Sequence, residues 1–171
     1  LPELQKEIHT SELESLLKEL SNLLIKKDLM LVTAESCTGG LIAAACTDIP
    51  GSSQWFDRAY ITYSNQAKHD MVDVPMKLIE QHGAVSKEVV EAMASGAHNK
   101  AGGINRIAIS VSGIAGPDGG TPGNPVGTVW MGYADDKGVN SKLLQLKGSR
   151  AEIRHETVKQ SVGLALTYLK R

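Results

Sequence analysis

Much of what would assign this chain to a special compartment or partner is missing from it. No apolar run approaches the about 20 residues that a membrane-spanning helix needs. Cysteine is scarce: only Cys37 and Cys46, with no CxxC spacing, which argues against a disulfide framework and a zinc knuckle and for a reducing compartment. No block of like charge exists. The 18 basic and 19 acidic residues are scattered and nearly cancel, so the electrostatic footprint of a general nucleic-acid or membrane-surface binder is lacking. The five histidines, His9, His69, His82, His98 and His155, show neither HExxH nor any other paired metal spacing, and each falls in or beside a predicted helix. GxGxxG and GK[ST] are absent, which removes the dinucleotide fingerprint and the P-loop. GxSxG is absent too, because Ala34 stands where that motif needs glycine. There is no internal repeat, low-complexity segment or visible signal peptide, and the sequence opens on Leu1 rather than methionine. A cytoplasmic location is expected.

What is present suits one ordinary domain. A chain of 171 residues with 42% apolar and 22% charged content can bury a core without disulfides or metals. Residues 1–10 show no clear period and read as an N-terminal arm, leaving 11–171 as a single domain. Ser11 with Glu14 forms a capping-box pattern ahead of Leu13, Leu16, Leu17, Leu20, Leu23 and Leu24, so a helix is expected over 12–27. Residues 29–34 read as a buried strand, 41–46 as a buried helix, 59–64 as a strand, and 65–72 and 76–82 as helices, the second closed by Gly83. Ser86 caps a helix with Val89, Val90, Met93, Ala94 and Ala97 on one face. Strands follow at 106–113 and 126–134; "DDKG" predicts a hairpin into another strand. Ser149 and Glu152 form a second capping-box pattern before a final helix to about residue 169. Early strands joined by helices and a late hairpin predict a three-layer α/β/α sandwich with a mixed, largely parallel sheet and an antiparallel edge hairpin.

In such sheets ligands gather beyond the carboxyl ends of the parallel strands. Three polar or glycine-rich junctions fall there: "TAESCTGG", "TYSNQAK" and "SVSGIAGPDGG". In the first, a strand delivers Ser36 to a helix start near Gly39, where free backbone N–H groups can hold an anion or a developing oxyanion. Ser36 or Thr38 is equally readable as a plain N-cap. Cys37 is a rival nucleophile, although neighbours on a strand face opposite ways, which would turn Cys37 toward the core if Ser36 faces the site. A serine nucleophile needs a base. Lys68, one turn into the element after "TYSN", is the candidate, provided that burial or a nearby cation lowers its pKa; a solvated helix lysine is the alternative. Tyr63 leaves the same junction and could relay or orient the proton, or be an ordinary strand aromatic. The glycine-rich loop after residue 113 can form a backbone nest for phosphate or carboxylate. Arg150 sits at a helix N-terminus, where a cation is unfavourable unless a phosphate binds between them; a surface arginine is the alternative.

The stretches "TAESCTGG", "IPGSSQWFDRAYITYSNQAK", "GAVSKEVVEAMASGA", "SVSGIAGPDGGTPGNPVGTVW" and "KGSR", in this order over about residues 13–170, resemble the CinA C-terminal domain family, whose stand-alone members include nicotinamide mononucleotide (NMN) amidohydrolases. The resemblance implies a bacterial enzyme that hydrolyses the carboxamide of NMN to nicotinate mononucleotide and ammonia, in pyridine-nucleotide recycling. It implies Ser36 as nucleophile and Lys68 as base with Tyr63 close by. Gly39, Gly40 and the Gly113–Gly116 loop match substrate-cradling segments, and Arg150 matches a late arginine. Ser112 stands where many relatives carry threonine. Glu35 and Thr38 are counted with the substrate-binding residues, Glu35 as a group that orients Thr38 or a neighbouring cation. No cofactor, metal, nucleic acid or membrane is expected, and a homo-oligomer (dimer or higher) is. The alternative is a nucleotide-binding regulatory module, related to competence and DNA damage, that has lost its chemistry.

Overall fold

The computed structural model describes residues 2–171; for Pro2, Gln5, Lys6, Ile8 and His9 it describes the backbone alone. Among the described residues six α-helices and five strands, with a short 3-10 turn at Ser52–Gln54, follow one another as α1 (Pro2–Lys26), β1 (Met30–Glu35), α2 (Leu41–Thr47), β2 (Phe56–Ile61), α3 (Asn65–Val72), α4 (Met76–His82), α5 (Lys87–Lys100), β3 (Arg106–Gly113), β4 (Thr128–Asp135), β5 (Gly138–Gln145) and α6 (Arg150–Leu169). The sheet order is β2-β1-β3-β4-β5. β1 runs parallel to both β2 and β3, whereas β4 is antiparallel to β3 and to β5. Only β4 therefore points against the rest, and the expected three-layer sandwich with its edge hairpin is what the chain forms.

Alternation along the strands divides the core in two. Leu31, Ile107, Ile109, Val111, Val129 and Met131 face one side, where Leu17, Leu20 and Leu24 of α1 and Val158, Val162 and Ala165 of α6 cover them. Val32, Ala34, Ala108 and Ala134 face the other side, under Val89, Met93, Ala94 and Ala97 of α5. That second face is built of small residues, and α5 comes close. A Cβ at Gly132 would stand 2.7 Å from the Val90 carbonyl oxygen, and Ser110 Oγ donates to that same oxygen at 2.6 Å.

Two expectations about element limits need correction. α1 begins at Pro2, where proline is tolerated in a first turn, so residues 2–10 are helical and Ser11 lies inside the helix instead of capping it. β2 covers Phe56–Ile61 rather than 59–64. The Thr62 amide still donates to the Glu35 carbonyl, but the Thr62 and Tyr63 carbonyls turn away to serve a lysine side chain. The second capping box is present at Ser149 and Glu152.

Candidate active site

β1, β2 and β3 lie side by side and point the same way, so their carboxyl ends meet at one edge of the sheet. The β1 end carries Ser36, whose amide donates to Val111 O at 3.1 Å and so ties the turn to β3. The β2 end leads through Thr62 and Tyr63 to α3. Ser64 caps α3 by accepting from the Ala67 amide at 3.0 Å, which starts the helix so that Lys68 lies one turn in and faces back to the sheet.

Lys68 is buried, and its Nζ lies 3.2 Å from Ser36 Oγ, 3.0 Å from Thr62 O and 3.1 Å from Tyr63 O. Burial holds its pKa below the ordinary lysine value, with a smaller opposing influence from Cys37. Of the two expected causes, burial and a nearby cation, it is burial that acts. A neutral amine in this place would donate its two protons to the two carbonyls and turn its lone pair to Ser36 Oγ. Ser36 Oγ is also 3.4 Å from Tyr63 O. Tyr63 thus enters the cluster through its carbonyl, while its ring is exposed. Cys37 is buried in the core on the α1/α6 side, where burial pushes its thiol up to about 11. Of the histidines, His69 and His98 bond to the Val74 and Arg106 carbonyls, His82 pairs with Glu88, and the His9 side chain lies outside the described residues.

Glu35 is fully buried. Its Oε1 accepts from Thr38 Oγ1 at 2.6 Å and from the Ile42 amide at 2.9 Å. Its Oε2 accepts from the Ala43 amide at 3.0 Å and Thr33 Oγ1 at 3.2 Å. The carboxylate therefore caps α2 from the strand and orients the Thr38 hydroxyl, which is one of the two tasks expected of Glu35. They hold the turn together. The expectation of free amides at the helix start changes. Ile42 and Ala43 serve Glu35, Leu41 serves Thr38 O, and Gly39 serves Ser36 O at 3.1 Å. Near Ser36 the Thr38 amide has no acceptor among the described residues, whereas the Cys37 N–H bonds back to its own thiol. Gly39 and Gly40 both take positive φ, at 57° and 104°, which bends strand into helix within two residues.

The remaining expected residues line the β3 side. Ser112 Oγ donates to Ala84 O at 2.8 Å and is buried, so it ties β3 to the α4–α5 connection and does not face outward. A Cβ on Gly113 would strike Val129, and one on Gly116 would strike Val126; these two glycines answer to loop packing. Arg150 is exposed and donates from Nη1 to Gly116 O at 2.8 Å, so it joins α6 to the glycine-rich loop. One neighbour went unnoticed in the sequence. Arg154 donates from Nε to Cys37 O at 3.0 Å and from Nη2 to Thr38 O at 3.1 Å. The only local signal was its position one turn after Arg150 on the same face.

The arrangement is chemically specific: a hydroxyl paired to a buried amine, the unpaired Thr38 amide on the same turn, and two arginines at the rim. The family model of the CinA C-terminal domain matches residues 13–169. The nicotinamide-nucleotide amidohydrolase PncC of Pseudomonas putida is 53% identical over 128 residues, 75% of this chain and 79% of that one. The nicotinamide-nucleotide amidohydrolase PncC of Enterobacter agglomerans is 49% identical over 155 residues, 90% of this chain and 93% of its own length. The crystal structure of the competence/damage inducible protein CihA from Agrobacterium tumefaciens superposes with a TM-score of 0.88 at 38% identity, covering 94% of this chain and 96% of that one. Matched by the family model over residues 13–169 and by relatives over three quarters or more of its length, the chain belongs to the CinA C-terminal domain family.

Proposed function

We propose that this protein is a serine amidohydrolase that converts NMN to nicotinate mononucleotide and ammonia. The observation that carries the chemistry is the 3.2 Å contact between Lys68 Nζ and Ser36 Oγ, with the lysine buried and its pKa lowered. The substrate rests on the relatives named nicotinamide-nucleotide amidohydrolase. Ser36 Oγ attacks the carboxamide carbon while neutral Lys68 takes its proton. The carbonyl oxygen becomes an oxyanion that the unpaired Thr38 amide of the turn receives. The intermediate collapses, the C–N bond breaks, and Lys68 returns its proton to the leaving ammonia. Water, deprotonated by Lys68, then attacks the Ser36 ester; the bond to Ser36 Oγ breaks, Lys68 returns the proton to that oxygen, and nicotinate mononucleotide leaves. The Tyr63 carbonyl orients the amine, and Arg150 meets the substrate phosphate at the rim. No step calls for a metal or redox group. The reaction would return a pyridine nucleotide to recycling, and the enzyme would act as a homo-oligomer, which light scattering in solution tests.

Ammonia release measured with NMN, nicotinamide, nicotinamide riboside and NAD decides the activity, with mass spectrometry to identify the product. Release from NMN alone, with nicotinate mononucleotide formed, is the expected result. Binding of NMN with no product would instead support the regulatory module.

A further inference from the structure

The turn that carries Ser36 is held by charged groups of both signs. Glu35 takes its amides and its threonine hydroxyl, while Arg154 takes its carbonyls. The Arg154 guanidinium spans two consecutive peptides directly after the nucleophile, those that begin at Cys37 and Thr38. A Cβ on Gly39 would stand 3.4 Å from Arg154 Nη2, so the glycine leaves the guanidinium its place against the turn.

We propose that Arg154 is a positioning residue: by binding the Cys37 and Thr38 carbonyls it fixes the Thr38 amide as donor to the oxyanion formed at Ser36. A trans peptide is planar, so the Cys37 carbonyl and the Thr38 N–H point in opposite directions from one rigid unit. Anchoring the carbonyl sets the direction of the N–H. That N–H has no acceptor among the described residues, whereas the next amide, Gly39, is already bonded to Ser36 O. A charged donor on the carbonyl also polarises the peptide and strengthens its N–H as a donor. The cation thereby acts on the reacting oxygen through the peptide, without touching substrate. Both bonds exist before substrate arrives, as preorganised stabilisation of a developing charge requires.

The inference rests on the proposed serine chemistry, and the test keeps the two apart. Arg154→Lys and Arg154→Ala are compared with the wild type in two assays. One is NMN hydrolysis. The other is labelling of Ser36 by an alkyl fluorophosphonate: the serine oxygen bonds to phosphorus, fluoride leaves, Lys68 takes the proton, and the phosphoryl oxygen occupies the oxyanion position. Arg154→Ala should lose on the order of 10²-fold in kcat with KM nearly unchanged, and labelling should slow in parallel. Arg154→Lys, which can reach one carbonyl, should lie between, and guanidinium ion in the buffer should restore part of both rates in the alanine variant. An unchanged kcat with only a lower Tm would reduce Arg154 to a structural contact. A raised KM at constant kcat would make it a substrate ligand; either result overturns the proposal. A wild type that is labelled at Ser36 but leaves NMN intact sinks the substrate while the labelling rates still decide Arg154. A wild type that does neither overturns both.

Discussion

A lysine one contact from a serine is useful only while it is neutral. Lys68 meets that need through burial, which disfavours its ammonium form. With Lys68 as the proposed base the active form is the deprotonated one, so kcat/KM should rise with pH through an ionisation of the free enzyme below the about 10.4 of free lysine. A flat profile across that range would contradict a lysine base. Lys68→Arg should be nearly as damaging as Lys68→Met, because a guanidinium keeps its proton. Substantial kcat/KM in the arginine variant would show that charge alone is required. At the neighbouring position, burial keeps Cys37 a thiol near neutrality. Ser36→Ala should abolish turnover with the fold intact, and Cys37→Ala should keep most of it. The reverse pattern in an ammonia assay would transfer the nucleophile to the cysteine.

α2 has seven residues, too few to persist as a helix without an anchor. Its N-cap position is Gly40, which offers no side chain, and the orphan amides of the first turn go to the Glu35 carboxylate. The strand thereby fixes the helix, and both fix the turn between them. Glu35→Gln replaces one acceptor oxygen by an NH2 group facing an amide or hydroxyl donor. It should cost about 1–3 kcal/mol in denaturant unfolding. It should also lower kcat more than KM, since the displaced turn carries Ser36. Unfolding and kinetics indistinguishable from wild type would remove Glu35 from this role. α3 is placed the same way by Ser64, with the difference that its cap comes from the adjacent residue.

Across the whole molecule, the site exists because three parallel strand ends and the start of α6 share one edge. α6 follows the hairpin, and its first turns reach both the glycine-rich loop through Arg150 and the Ser36 turn through Arg154. Arg150→Ala should raise KM for NMN with little change in kcat, because a phosphate contact is made in ground and transition states alike. Nicotinamide riboside, if turned over at all, should be indifferent to the change. A collapse of kcat at constant KM would give Arg150 another task. Activity should also survive EDTA: among the described residues no group of three or more His, Cys, Asp and Glu is placed to hold a metal. Loss in EDTA restored by Zn²⁺ or Mg²⁺ would overturn the mechanism. Among the described residues no helix is long and apolar enough to cross a membrane.

The sequence by itself determined most elements and their order, because caps and hydrophobic periods act within a few residues. Ser86 begins α5, Gly83 ends α4, and "DDKG" closes the β4–β5 hairpin, all from local signals. The same local reading singled out Ser36 and Lys68 as candidates. It failed where a local signal competed with a wider context. Ser11 resembles a cap, yet the turn before it is helical; β2 ends early because a side chain from α3 takes the two carbonyls that follow it, those of Thr62 and Tyr63. Only the tertiary structure decided which groups face the site. Glu35 turned inward because unpaired helix amides needed an acceptor, and the glycines at 113 and 116 answer to Val129 and Val126. Arg154 reaches Cys37 across 117 positions of chain. No pattern within a few residues encodes such a contact, since it exists only once the sheet has brought β1 and α6 together.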